Sequence, residues 1–175
     1  AMHFRRSYLA AVSQMDSMVG MVLNELEMLG LEQSTMVAFV GDHGWQLGDL
    51  GEFGKKTNFE RATRAPLIIR DPANKNVPAT SSALVEFVDL MPTLLELAMG
   101  KVVPSCPPDS ANVALCTEGQ SLVPIMADVV STHDSRDAAF MQYAPCMHDE
   151  MIWHDACAAD MEPRAMGYAI RTRRW

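Results

Sequence analysis

The sequence predicts an α/β fold, with helices packed on a sheet and a smaller antiparallel subdomain beginning near its end. Three observations carry this. An apolar stripe at helical spacing opens the chain, two short continuous apolar runs follow it, and alternating strand-like segments return only near the end.

Tyr8, Val12, Met15, Val19, Val22, Leu26 and Leu29 recur at alternating steps of three and four, which is one apolar face of an amphipathic helix. Gly30 stands where a left-handed C-terminal cap belongs. The run 36–40 (Met-Val-Ala-Phe-Val) has no polar alternation and is bounded by turn residues, which suits a parallel strand buried on both faces. Residues 41–54 are too rich in glycine to be regular throughout, and the run 66–69 reads as a second strand ending at Asp71-Pro72. Residues 71–82, polar and with two prolines, read as a surface loop. Asp89 is placed to cap a helix through Leu90, Leu94, Leu97 and Ala98, closed by Gly100. A proline- and cysteine-bearing excursion over 101–118 follows, then strands over 140–143 and 166–170 with an irregular stretch between them.

A chain of 175 residues fits one globular domain, or a larger fragment with a piece of a second domain. With 49% hydrophobic and 21% charged residues it can bury a core and is not a disordered segment. The net charge of −8, from 22 acidic and 14 basic residues, argues against a nucleic-acid binder, which needs a basic face to neutralise phosphates. Arg171, Arg173 and Arg174 read as a solvated strand end. No apolar run approaches the roughly 18–20 residues that cross a bilayer, so no membrane span is expected. The first six residues run almost directly into the helical pattern and the last four stop inside a strand pattern. Both ends therefore read as cut, and the compartment is not legible from them.

Asp42 and His43 come directly after the strand at 36–40, at its carboxyl end, the edge where ligands bind in open α/β sheets. A carboxylate and an imidazole side by side can reach one cation. The bare pair is equally a polar turn with a capped histidine. What narrows the reading is the whole segment Gly41-Asp42-His43-Gly44-Trp45-Gln46-Leu47-Gly48-Asp49-Leu50-Gly51-Glu52-Phe53-Gly54-Lys55. It resembles the second signature region of the sulfatase family, in particular its iduronate-type branch. Asn58-Phe59 and Ala62-Thr63 through Pro66-Leu67-Ile68 continue the match. Arg6-Ser7-Tyr8, Asp16, Gly20 and Leu29-Gly30-Leu31 are similar to the family's preceding helix. Pro92-Thr93-Leu94, Gly119 to Leu122, and Met166-Gly167-Tyr168 with Ile170-Arg171-Thr172 match later segments.

The resemblance implies the carboxyl-terminal part of an alkaline-phosphatase-like sheet sandwiched by helices over 1–127, and the start of a smaller antiparallel subdomain over 128–175. It implies that Asp42 and His43 are two ligands of a catalytic Ca2+, with the remaining ligands nearer the amino terminus and outside this chain. Calcium prefers six to eight oxygen ligands, so the imidazole leaves Zn2+ as an alternative. Lys55 matches the lysine that contacts the sulfate group, where a fixed ammonium stabilises charge on the sulfuryl oxygens. Trp45 is either a wall of the substrate pocket or a tryptophan packed under the loop. Leu50 departs from the branch, which has histidine there, and this puts fine substrate contacts in doubt.

The family's nucleophile is a formylglycine made from cysteine in a Cys-x-Pro-x-Arg motif near the amino terminus. Cys106-Pro107-Pro108-Asp109-Ser110 fails at its fifth position and lies downstream of the metal pair, so it is not that motif. The resemblance instead pairs Cys106 with Cys116 in a disulfide, which suits an oxidising compartment. Cys146 and Cys157 read as a second bridge. Their spacing with His148 and His154 also imitates a zinc site, and free thiols are a third reading. The implied activity is that of a sulfuric ester hydrolase acting on a sulfated sugar or glycosaminoglycan, in a lysosomal or secreted enzyme (periplasmic if bacterial). Its partners are the sulfated carbohydrate and the missing amino-terminal half, and the chain alone is expected to be inactive. Two rivals stand beside this reading: a two-zinc phosphatase or phosphodiesterase of the same superfamily, and an inactive cation-binding fragment.

Overall fold

The structure, a computed structural model, describes residues 2–74, 80–127, 136–143 and 166–174. These divide into two compact units. One holds residues 2–73, 141–143 and 166–169, and the other holds 74, 80–127, 136–140 and 170–174.

The first unit opens with helix α1, Met2–Met28. Its end is a Schellman turn. Gly30 takes the left-handed conformation at φ 67°, its N–H donates to the Glu27 carbonyl, and the Leu31 N–H reaches back to the Leu26 carbonyl. The helix follows the apolar stripe of the sequence, yet none of its residues is buried, and Val22 is 70% exposed. Strand β1 (Val37–Val40) pairs with β4 (Leu67–Arg70) in register from Val37↔Arg70 to Val40↔Leu67.

That pairing corrects one expectation. β1 is antiparallel to its described neighbour and exposes alternate residues, where a parallel strand buried on both faces was anticipated. An unbroken apolar run states that both faces suit burial, but it carries no information on strand direction. Between β1 and β4 lie a tight hairpin of β2 (Gln46–Leu47) and β3 (Phe53–Gly54), and a one-turn helix α2 (Glu60–Thr63).

The second unit is organised around charge. A 3-10 turn, Phe87–Asp89, leads into α3 (Leu90–Met99), which Gly100 closes at φ 62°. Asp89 does not cap α3 through its side chain, contrary to the sequence reading. Its carboxylate is instead the buried hub of the unit. It accepts the Glu86 N–H at 2.8 Å, the Gln120 N–H at 2.8 Å and the Arg136 guanidinium at 2.6 Å. Glu86 completes the fork on Arg136 at 2.6 Å and accepts the Phe140 N–H at 2.6 Å. Three segments distant in sequence thus converge on two carboxylates, a better use of a buried negative charge than one helix cap.

Thr93, fully buried, stitches the same region through its hydroxyl. It donates to the Asp89 carbonyl and accepts the Leu122 N–H at 2.8 Å. Gly119 packs so close that an added Cβ would lie 2.0 Å from the Val88 carbonyl oxygen. The Cys106–Cys116 disulfide is formed and closes the excursion, flanked by mutual backbone bonds between 104–106 and Thr117. A loop of this size contributes about 2–3 kcal/mol by restricting the unfolded chain. Cys146 and Cys157 lie outside the described residues. A short helix α4 (Val123–Met126) follows, and the predicted late strands fall in β5 (Ala138–Tyr143) and β6 (Gly167–Thr172), which pair with each other. No helix among the described residues is long and apolar enough to cross a membrane.

Arg136→Met removes the counter-charge and leaves Glu86 and Asp89 buried without it. Urea unfolding followed by circular dichroism is expected to show a loss of about 3 kcal/mol, the cost of an uncompensated buried charge.

Candidate active site

The segment that carries Asp42 and His43 is held from both sides. After β1, the ladder with β4 continues for one more bond, from the Gly41 N–H to the Pro66 carbonyl at 2.9 Å. Three residues later the Gly44 N–H donates to the Ala62 carbonyl of α2 at 2.7 Å. An added Cβ at Gly44 would lie 2.1 Å from the Arg61 carbonyl oxygen, so only glycine permits this approach. Asp42 and His43 therefore sit on a short bridge whose two ends are fixed by backbone contacts.

Within that bridge the two side chains meet. His43 Nε2 lies 3.0 Å from Asp42 Oδ2, and Asp42 Oδ1 accepts the His43 N–H at 3.1 Å. The Nε2 contact is close enough for an ion pair when the imidazole is protonated, but it lacks hydrogen-bond alignment, and Nε2 is buried without a hydrogen-bond partner. His43 is largely covered, whereas the Asp42 side chain is 83% exposed. A carboxylate oxygen and an imidazole nitrogen at this separation fit two ligands on one cation, each bonded at about 2.0–2.5 Å. Among the described residues no group of three or more His, Cys, Asp or Glu could hold a metal ion.

Trp45 packs. Its ring stacks at 6.1 Å from Tyr8 and 6.3 Å from Phe4, both on α1, and lies 6.1 Å from the His43 ring. Phe4 also meets Phe53 of β3 edge to face at 5.4 Å, and Arg5 donates to the Leu47 carbonyl. These contacts, which sequence reading did not assign to α1, clamp the signature loop onto the helix. The indole N–H of Trp45 is buried without a partner.

Lys55 is exposed and directly follows β3. The hairpin register, Gln46↔Gly54 and Leu47↔Phe53, returns the chain to Gly54 opposite Gln46, and Lys55 is the next residue. The hairpin is pinned by Gln46, fully buried, whose amide donates to the Thr57 hydroxyl at 3.1 Å; that hydroxyl also accepts the Phe59 N–H at 3.0 Å. At the tip, Leu50 holds a left-handed backbone at φ 55° and is 80% exposed, an unusual setting for a large apolar side chain. Of the residues read from sequence, the structure brings His43 against both Asp42 and Trp45, and Lys55 follows the hairpin strand β3. The roles of Gly44, Thr57 and α2 were missed. A one-turn helix has no periodicity to detect, and a close backbone approach leaves only a glycine as its signal.

The structure has the alkaline-phosphatase-like fold. A solved structure described as a complex with its substrate D-glucosamine-2-N,6-O-disulfate superposes with a TM-score of 0.69 at 34% identity, over 94% of this chain and 29% of that one. A phosphonate monoester hydrolase from Silicibacter pomeroyi superposes with a TM-score of 0.60 at 29% identity, over 75% of this chain and 24% of that one. The sulfatase family pattern matches residues 2–101, and iduronate 2-sulfatase of Mus musculus is 36% identical over 96% of this chain. The chain belongs to the sulfatase family. It spans 36% of the length of that mouse relative.

Thr57→Val leaves the buried Gln46 amide and the Phe59 N–H without an acceptor. Thermal unfolding is expected to report a loss of about 2 kcal/mol, the usual penalty for stranding a buried donor.

Proposed function

We propose that this chain is part of a sulfuric ester hydrolase that removes sulfate from a sulfated sugar or glycosaminoglycan, in the manner of iduronate 2-sulfatase. The observation that carries this reading is the Asp42–His43 pair, its Oδ2 and Nε2 atoms 3.0 Å apart, inside the segment that matches the sulfatase family. Both residues would be ligands of a catalytic calcium. When bound, that cation supplies Lewis acidity for a sulfuryl oxygen and for the nucleophile. The chain's own contribution is to hold the two ligands on a bridge with fixed ends, and to carry Lys55 on the adjoining hairpin. An ammonium there stabilises the negative charge on the sulfuryl group as the S–O bond breaks.

The nucleophile, a formylglycine, and the remaining metal ligands belong in this reading to polypeptide outside the chain, which is therefore inactive by itself. A disulfide at Cys106–Cys116 supports a lysosomal or extracellular enzyme, or a periplasmic one in a bacterium. A second reading, a zinc-dependent phosphatase or phosphodiesterase, draws on the imidazole donor and on the likeness to the phosphonate monoester hydrolase.

The test is made on the full polypeptide encoded by the gene that carries this chain. It is expected to release sulfate from 2-O-sulfated iduronate in preference to 6-O-sulfated glucosamine, and in preference to a phosphonate monoester. Lys55→Met should lower kcat by about 10²–10³-fold, as expected for one donor to developing charge. A preference for the phosphonate over every sulfated sugar would replace the sulfatase reading with the second one.

A further inference from the structure

We infer that Gly44 and α2 are positioning elements that hold the His43 ring with its Nδ1–H on the Gly44 carbonyl, turning Nε2 toward Asp42 as the ring nitrogen that would take a cation. The inference rests on the proposed metal site for its use, but its geometry stands independently. His43 Nδ1 lies 2.8 Å from the Gly44 carbonyl oxygen. A carbonyl has no proton to give, so the bond exists only if Nδ1 carries the hydrogen. A neutral imidazole has one N–H, and Nε2 is then left with a lone pair. That atom is buried, has no hydrogen-bond partner and lies 3.0 Å from a carboxylate oxygen. Two lone pairs facing each other at that distance repel unless a positive charge lies between them. A proton on Nε2 or a metal ion between the two atoms supplies that charge, so the geometry singles out Nε2, and not Nδ1, as the nitrogen that faces a cation.

What holds the carbonyl in place is α2. The Gly44 N–H is bonded to Ala62, and its Cα lies against the backbone of Arg61 and Arg64, where a Cβ would meet carbonyl oxygens at 2.1 and 2.8 Å. Ala62 is 3% exposed, and the turn is tied by bonds from the Ala62 and Thr63 N–H groups to the Phe59 carbonyl. Residues that would not touch the cation thus decide which nitrogen faces it, as outer partners of a ligating histidine generally do.

The experiment is a long-range 1H–15N correlation spectrum of the full polypeptide that carries this chain, labelled at histidine, recorded in mildly alkaline buffer and repeated with zinc chloride and with calcium chloride. The His43 signals are assigned by their loss in His43→Gln. A protonated Nδ1 with a lone-pair Nε2, and a zinc-induced shift confined to Nε2, is expected. Gly44→Ala should abolish that signature and weaken zinc binding by about 10–100-fold. Thr57→Val, which loosens the hairpin without touching Gly44, should keep it. The tautomer and the zinc shift are read on the unmodified protein, and His43→Gln serves only to assign its signals. An Nε2–H tautomer, or a zinc shift at Nδ1, overturns the inference. An Nδ1–H tautomer indifferent to zinc and to calcium supports the tautomer assignment and removes the metal-site reading, so the two failures are told apart.

Discussion

The carbonyl oxygens of Arg61 and Arg64 leave no room for a side chain at residue 44, and the geometry of the loop around it follows from that exclusion. With Gly41 bonded to Pro66 and Gly44 pressed against α2, only Asp42 and His43 lie between the two anchored glycines. Neither residue can swing away without breaking a backbone bond at one end of the bridge. A short tether with fixed ends suits metal ligands because the entropy of ordering them is spent during folding and not at binding. The hairpin that follows starts from the same anchor. For this reason the glycine-rich segment returns at Gly54 opposite Gln46, with Lys55 next in the chain.

The two units solve their packing by different means. In the first, the loop is clamped to α1 by rings, with Phe4 and Tyr8 on Trp45 and Phe4 on Phe53. In the second, buried polar groups dominate. Asp89 and Thr93 are fully buried, and Arg136, Glu86 and Gln120 answer them. Apolar burial is tolerant of small shifts, whereas a forked guanidinium on two carboxylates is not. The second unit therefore trades adaptability for a unique arrangement, helped by the Cys106–Cys116 bridge.

What the sequence made legible was whatever is encoded locally. The stripe from Tyr8 to Leu29 and the glycine after it specified α1 and its Schellman end. The apolar runs specified β1 and β4, and the ordered pattern from Gly41 to Lys55 specified the site loop. Illegible were features set by partners remote in sequence. The direction of β1 depends on β4, thirty residues on. Asp89 was read as a cap because the sequence before a helix invites it, but its partner Arg136 lies 47 residues away, and the pull of a buried cation outweighs one helix N-terminus. Gly44 and Ala62 both belonged to the matched pattern, but their approach to each other was not legible, since a backbone-to-backbone contact leaves only the missing side chain of the glycine as its signal.

The same incompleteness recurs at two scales in the first unit. At the scale of the site, the proposed reading gives this chain two donors, Asp42 and His43, for a cation that in calcium chemistry asks for six to eight ligands. At the scale of the fold, α1 exposes an apolar stripe of the kind that globular proteins cover, and β1 and β4 form a sheet of only two described strands. The chain covers 36% of the mouse sulfatase's length, so relatives of this architecture hold ample further polypeptide. In the proposed reading one additional body answers both needs, because strands laid beside β1 end at the same sheet edge as Asp42. Residues at the ends of those strands would then reach the cation from the side opposite His43. A polypeptide that covered the helix but left the strand edge open would complete the fold without completing the site, which ties the missing ligands to the sheet and not to the helical face.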